Sequence, residues 1–200
     1  LERKHRKPWS LFFAHKAVHP DAEQAADGTL RISAQGGYVV ADRHKHLYRD
    51  DVFPRTPNMM TPDEVVRHKP AWAECFAMKT GETARKILDA LKSGSQEEIR
   101  ARAQMMVAVD EGMGAIFEVL ERQGELDNTF VVFASDNGFF FGEHALGPER
   151  RFAYEEGIRS PFLVRYPRRV KAGTRLRDLV ICQDIAPTMI ELAGGKPGPQ

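Results

Sequence analysis

The sequence has few cysteines, no long apolar run and almost no net charge, and each absence argues against a class of protein. Its 200 residues contain two cysteines, Cys75 and Cys182, which form no CxxC motif. A disulfide framework and a cysteine-based zinc site are therefore not indicated, and we expect two buried free thiols. No segment approaches the apolar length of a membrane-spanning helix. With 29 basic and 28 acidic side chains, the chain lacks a polyanion-binding signature, so we expect neither a nucleic acid partner nor a membrane span.

The overall composition is that of an ordinary globular domain, with one local departure in charge. Hydrophobic residues make up 42% and charged residues 28% of the chain, which suits a single domain of this length. Residues 149–177, however, contain nine Lys and Arg residues and only three Glu. Clustered arginines suit sulfate, phosphate or carboxylate groups, and a solvated basic face is the alternative.

Both ends of the sequence have the character of cuts within a longer chain. The first residue is Leu1, and a charged run rather than an apolar signal segment follows it. The last residues follow a predicted helix and are rich in glycine and proline. We expect residues 196–200 to begin a linker or a following segment, and any targeting signal to lie outside the chain.

The order of predicted elements favours the α/β class. The strongest helix covers residues 96–123, opened by the capping box Ser95-Gln-Glu-Glu98. Its apolar residues recur at three- and four-residue spacing and are predicted to form core: Ile99, Ala103, Met106, Val107, Met113, Ile116, Phe117 and Leu120. Apolar runs at 9–14, 130–134 and 161–166 predict strands, residues 20–60 read mainly as loop, and a last helix begins near Asp184 and ends at Gly194.

The most informative segment runs from Phe130 to Gly138. Its apolar start suits a strand buried on both faces, as in a parallel sheet. Asp136 and Asn137 follow directly, at the carboxyl end where ligand sites of open α/β sheets lie. Their oxygens are ligands that divalent cations prefer. The alternative is a hairpin, because Asn-Gly between apolar runs is a strong turn signal and residues 139–141 could start a return strand.

Taken together, an ordered series of motifs resembles the sulfatase family of the alkaline-phosphatase-like superfamily. The similarity covers nearly the whole chain and is densest between Asp110 and Gly195. It is carried by Lys16-Ala-Val-His19, Ser135-Asp-Asn-Gly138, Gly142-Glu-His144, Tyr154-Glu-Glu156, Arg159-Ser-Pro161, Arg165-Tyr-Pro167 and Asp184-Ile-Ala-Pro-Thr188. The resemblance implies a sandwich with a central, mostly parallel sheet flanked by helices. Residues 1–195 would be the carboxyl-terminal portion of the catalytic domain, so the fold would be incomplete.

The resemblance also implies roles for individual residues. Asp136 and Asn137 would ligate a divalent cation, usually calcium, and His19 would contact the sulfate near the scissile oxygen. His144 resembles a histidine at the substrate mouth, with a structural role as the alternative. Sulfatases usually carry a sulfate-contacting lysine where this chain has Arg150. Arginine keeps the charge but cannot readily release a proton, so proton donation to the leaving group would fall to His19.

The implied activity is hydrolysis of sulfate monoesters, and the resemblance is nearest to sulfatases that act on sulfated glycans. The nucleophile of the family is formylglycine, made from the first residue of a Cys/Ser-x-Pro-x-Arg motif, and no such motif occurs in these residues. We expect it in the missing amino-terminal part of the domain, which would also supply aspartate ligands. The chain alone should then be inactive. Alternatives are a phosphodiesterase or phosphonate monoester hydrolase of the same superfamily, where His often replaces Asn137, or a catalytically inert fragment. The family leans towards a periplasmic or secreted location.

Overall fold

The computed structural model describes residues 7–27, 30–32, 37–59, 67–68, 96–144, 150 and 152–198. These residues contain four strands, three α-helices of four or more residues, two helical residues at 67–68 and short 3₁₀ turns. The strands are β1 (Ala22–Gln24), β2 (Leu30–Ile32), β3 (Val131–Ala134) and β4 (Phe162–Arg165). The helices are α1 (Gln96–Arg122), α2 (Glu155–Ile158) and α3 (Ile185–Leu192).

The long helix α1 confirms the strongest prediction, but its buried side differs in part from the predicted one. Leu120 is buried as expected, whereas Met106 is 39% exposed. The buried residues of α1 are Arg102, Gln104, Met105, Val109 and Leu120. Of the predicted stripe only Leu120 is fully buried, and the other residues except Met106 are half-buried. Two polar side chains, Arg102 and Gln104, share the buried side. Ser95 of the predicted capping box lies outside the described residues.

Polar side chains on α1 hold residues 42–59, a segment that we call the long connection. Gln96 exchanges two hydrogen bonds with the backbone of Phe53, at 2.8 and 3.1 Å. Arg100 and Gln104 donate to backbone carbonyls of the same connection: Tyr48 and Asp51 for Arg100, Lys45 and Leu47 for Gln104. Since these three residues are spaced by four, they share one helical face. That face orders a connection with little regular structure of its own.

Glu111 extends the same attachment further along α1. Its carboxylate accepts a 2.5 Å hydrogen bond from Nη2 of Arg43 and lies 2.8 Å from Nε2 of His44. His44 is 3% exposed. Hydrogen bonds from Arg43 and then His44 lower the pKa of Glu111 from 4.5 to about 2. The carboxylate of Glu111 thus remains charged over the ordinary pH range.

Strands β3 and β4 lie where apolar runs predicted them and pair with each other. The pairing is antiparallel, with Val131 opposite Arg165 and Ala134 opposite Phe162. The described residues therefore do not contain the parallel pairing expected of the central sheet. Nor is β3 buried on both faces, since its residues are half-buried or exposed. Arg165 anchors the pair to the turn after α1, donating to Leu126 O at 2.8 Å.

Two smaller expectations need correction. The run at 9–14 forms no strand, and Phe12 within it is 92% exposed, because an apolar run gains ladder hydrogen bonds only where a partner strand lies beside it. The described part of residues 20–60 is mainly loop, as predicted, and also contains the antiparallel pair β1–β2. Cys182 is exposed rather than buried, and Cys75 lies outside the described residues.

The last helix is close to its prediction. It runs from Ile185 to Leu192, and Gly194 after it has φ +83°, the left-handed conformation that glycine adopts after helix ends. The side chain of Asp184 accepts from the Ile181 N–H at 2.9 Å instead of capping α3. As for membranes, none of the helices in the described ranges has the length and apolar character needed to span one.

Candidate active site

The loop after β3 carries the two predicted cation ligands. Asp136 and Asn137 lie just after the strand, from which only Ser135 separates them. The hairpin alternative is wrong, because β3 pairs with β4 and not with residues 139–141. A tight Asn-Gly hairpin also needs positive φ at both residues, and neither Asn137 nor Gly138 has it. The chain instead leaves the sheet and passes across α2.

Gly138 fixes where this loop meets α2. Its N–H donates to the carbonyl of Gly157 at 2.9 Å. A Cβ at position 138 would lie 2.6 Å from the carbonyl oxygen of Arg159 and closer still to that of Glu156. Only glycine allows backbone to approach backbone this closely. The packing therefore determines where Asp136 and Asn137 lie relative to α2.

The oxygen atoms near this loop fit one part of a cation site. Asn137 donates its side-chain amide to the carbonyl of Gly138 at 2.5 Å, which leaves Oδ1 as an acceptor. Ser135 Oγ lies 3.5 Å from Oδ1 of Asp136 and donates to the Asn137 carbonyl at 2.9 Å. A calcium ion takes six to eight oxygen ligands. Within the described ranges no cluster of three or more His, Cys, Asp or Glu side chains could hold a metal. A cation at this loop would therefore need further ligands.

The two predicted catalytic residues lie together. Nη2 of Arg150 is 3.3 Å from Nε2 of His19, although 131 positions separate them in the sequence. The other ring nitrogen of His19, Nδ1, lies 2.8 Å from the Pro20 carbonyl. A proton on Nδ1 would be donated to that carbonyl, and Nε2 would then accept from Arg150. Both side chains are exposed and are accessible to an anionic ligand.

His144 belongs to a cluster with Tyr154, Glu156 and Asn58. Its ring stacks on Tyr154 with 4.4 Å between centroids and an interplanar angle of 24°. Its Nε2 lies 3.2 Å from Oε2 of Glu156, whose Oε1 accepts from Asn58 at 2.5 Å. Burial would raise the pKa of Glu156, but hydrogen bonds from its own backbone N–H and from Asn58, with the nearby His144, lower it overall.

The backbone of His144 is unusual as well. It has φ +57°, a left-handed conformation that is uncommon outside glycine, although histidine is among the residues enriched there. Its N–H donates to Asn58 O at 2.7 Å, next to an antiparallel bridge between Met59 and Glu143. The long connection thus fixes the position of the His144 ring.

Sequence reasoning missed three members of this cluster. Glu156 and Tyr154 fall in a recognised motif, Tyr154-Glu-Glu156, yet no individual role was assigned to either residue. Asn58 lies in a segment without periodicity, so no local signal could have placed it beside Glu156. Only the fold reveals that contact across 98 positions.

Comparison with known proteins agrees with the resemblance in the motifs. The model of the family described as Sulfatase matches residues 1–195. An N-acetylglucosamine-6-O-sulfatase of Bacteroides thetaiotaomicron is 36% identical over 159 residues, which cover 75% of this chain and 28% of that protein. An arylsulfatase of Volvox carteri is 31% identical over 160 residues, covering 78% of this chain and 23% of that protein. The chain therefore spans about a quarter of the length of these curated relatives.

A solved structure agrees at the level of the fold. It is described as a complex with its substrate D-glucosamine-2-N,6-O-disulfate, and it aligns with a TM-score of 0.58 at 25% identity. The alignment covers 80% of this chain and 42% of the other. The α/β fold class expected from the sequence is confirmed by this likeness, with the described residues forming part of such a domain.

Proposed function

The chain belongs to the sulfatase family, and from this premise we propose that the protein of which it forms part hydrolyses sulfate monoesters. The observation that carries the proposal is the 3.3 Å approach of Arg150 to His19. A permanent positive charge beside an imidazole, open to solvent, suits a sulfate group and its leaving oxygen. The basic region 149–177 gives the surroundings the sign that an anionic substrate needs.

Arg150 and His19 have different proposed roles: Arg150 stabilises negative charge, and His19 transfers a proton. Arg150 stays protonated and offers planar N–H donors, so it stabilises negative charge on the sulfate oxygens without exchanging a proton. Once a sulfate accepts the hydrogen bonds of Arg150, Nε2 of His19 is released from that donor. It can then take up a proton from solvent and pass this proton to the leaving oxygen. The exchange of the usual lysine for Arg150 thus moves proton donation to the histidine.

Asp136 and Asn137 are proposed to hold a divalent cation, with calcium as the expected ion. The free Oδ1 of Asn137 and the exposed carboxylate of Asp136 are hard oxygen donors of the kind calcium prefers. A bound cation would neutralise charge on the sulfate. The remaining ligands, and the formylglycine that serves the family as nucleophile, are expected from residues outside this chain.

Sulfated glycans are the proposed substrate class. A relative named for N-acetylglucosamine-6-O-sulfate hydrolysis and a structural neighbour bound to a disulfated glucosamine support it. His144 is the proposed substrate-binding residue of this chain. Its ring is held by Tyr154 and Glu156, so it would present a fixed face to a sugar.

The test is turnover of the full-length protein on glucosamine-6-sulfate, p-nitrophenyl sulfate and a phosphate diester. We expect sulfate ester hydrolysis, and we expect Arg150→Met to lower kcat by about 10²–10³-fold, the range for losing one charge-stabilising donor. Arg168→Met, an exposed arginine in the same basic region, serves as the control. Hydrolysis of the diester but not of the sulfate esters would favour the phosphodiesterase alternative instead.

The cation assignment needs its own variant. Asp136→Ala should abolish most turnover and weaken calcium binding measured by titration calorimetry, whereas Asp178→Ala removes an exposed carboxylate elsewhere and should change neither. Undiminished turnover and calcium affinity after Asp136→Ala would refute the assignment.

A further inference from the structure

Arg102 is a buried arginine that the proposed site does not use. It lies on α1 and is 9% exposed. Its guanidinium carbon lies 3.7 Å from the centroid of the Phe139 ring and 5.4 Å from those of Phe141 and Tyr38. Cations are attracted to aromatic faces at these distances. Removing a guanidinium from water is costly unless it gains such contacts, so three rings around one cation indicate a built environment.

Hydrogen bonds fix the orientation of the same guanidinium. Nη1 donates to the backbone carbonyl of Val18 at 3.2 Å and lies 3.3 Å from the Tyr38 hydroxyl. The Tyr38 hydroxyl in turn donates to Oε1 of Glu98 at 2.5 Å. Burial, followed by the bond to Glu98, raises the pKa of Tyr38, so the phenol stays protonated and keeps that bond. Arg102 therefore belongs to a chain of contacts anchored on α1.

Arg102 contacts residues that adjoin two parts of the proposed site, namely His19 and the loop of Asp136 and Asn137. Val18 is the residue before His19, and Phe139 comes two positions after Asn137. The two segments are remote in sequence, and α1 lies between them along the chain. One planar cation thus contacts the backbone of the first segment and the aromatic rings of the second.

We propose that Arg102 is a positioning residue that fixes the His19 turn and the 139–141 segment against α1. This role rests on the proposed function, because it assigns a purpose to the placement of His19 and of the cation ligands. The turn itself is a short one, closed by a 2.9 Å bond from His19 N–H to Lys16 O. An anchor at Val18 determines where that turn, and with it the His19 ring, meets Arg150.

The closing experiment uses Arg102→Met in the full-length protein, with Arg100→Met as the matched control. Arg100 lies two residues earlier on α1, and its hydrogen bonds among the described residues go to the backbone of Tyr48 and Asp51. Hydrogen exchange measured by mass spectrometry reports on peptides that contain His19 and Phe141. We expect exchange there to accelerate by about tenfold in Arg102→Met, the effect of losing one stabilising contact, and to be unchanged in Arg100→Met.

Kinetics provide the second measurement. We expect Arg102→Met to lower kcat by about 10–100-fold, as small misplacements of catalytic groups do, with little change in KM. Arg102→Lys keeps a cation near the rings and one donor, so it should recover part of the lost rate. The effect on kcat alone, with partial rescue by lysine, separates positioning from a general loss of stability.

Each outcome decides one of the two proposals. If the full-length protein hydrolyses no sulfate ester, the proposed function fails while hydrogen exchange still tests the anchor. Equal exchange in Arg102→Met and Arg100→Met, or an unchanged kcat in an active protein, overturns the role of Arg102. Failure of both Arg102 variants to fold also overturns it, because Arg102 would then stabilise the whole domain rather than two segments.

Discussion

Replacing Gly138 with alanine tests whether the loop of the cation ligands is fixed by close backbone packing. The added Cβ would lie 2.6 Å from Arg159 O and nearer to Glu156 O. Ordinary carbon–oxygen contacts begin at about 3.3 Å. The Arg159 oxygen alone requires the loop to retreat by about 0.7 Å, and the nearer Glu156 oxygen requires more. Both obstructing atoms are backbone oxygens, which cannot rotate aside as a side chain can.

The size of the effect follows from two contributions. Overpacking of this kind costs about 1–3 kcal/mol, and weakening the Gly138 N–H to Gly157 O bond costs about 1 kcal/mol. We therefore expect a loss of about 2–4 kcal/mol, or a fall in Tm of roughly 4–16 °C for a chain of this size. Calcium affinity should fall too, since Asp136 and Asn137 move with the loop.

Thermal unfolding followed by circular dichroism, together with calcium titration, measures both effects. Gly114→Ala is the matched control, because a Cβ at that helical position meets no atom within 4 Å. It should stabilise the protein by about 0.5–1 kcal/mol through helix propensity. A Gly138→Ala protein with the Tm and calcium affinity of the wild type would refute the packing argument, since the two backbones would then have room to separate.

Two further predictions concern the core and the attachment of the long connection. Leu120→Ala should lower the free energy of unfolding by about 2–5 kcal/mol in urea denaturation, because Leu120 is 1% exposed. The control Leu179→Ala removes a side chain that is 92% exposed, and its free energy of unfolding should stay within about 0.5 kcal/mol of wild type. Equal losses would refute the assigned core. Glu111 has a folded pKa of about 2 against an ordinary 4.5, so the stability it contributes is complete above pH 4.5 and is lost as pH falls towards 2. The difference in Tm between wild type and Glu111→Gln should therefore shrink across that window, and a difference independent of pH would contradict the ion pairs with Arg43 and His44.

The elements that sequence predicted well are those decided by local patterns. α1 follows from sustained helical spacing, and β3 and β4 follow from short apolar runs with polar ends. The position of the Asp136 loop was identifiable because polar residues follow the apolar run of β3, while its role as a cation site stays a prediction. In each case the relevant signal lies within a few residues of the feature.

The features that sequence could not predict depend on contacts between distant segments. Nothing near His19 indicates that Arg150 lies beside it, and the pairing partner of β3 is not encoded in β3 itself. The predicted core stripe of α1 left out Arg102 and Gln104, which are buried through rings and carbonyls of other segments. Hydrophobic spacing counts such residues as solvent-facing, since it cannot register partners supplied by tertiary structure.

The attachment of the long connection to α1 has a consequence for how this region can change its length. Four side chains spaced along the helix hydrogen-bond to the connection: Gln96, Arg100, Gln104 and Glu111. A residue inserted into the connection between two of these contacts displaces only the loop around it. A residue inserted into α1 rotates every later contact residue about the helix axis by about 100° and shifts it along the axis by about 1.5 Å. Variation in loop length should therefore gather between anchor points, while the helix segment that holds them keeps a constant number of residues.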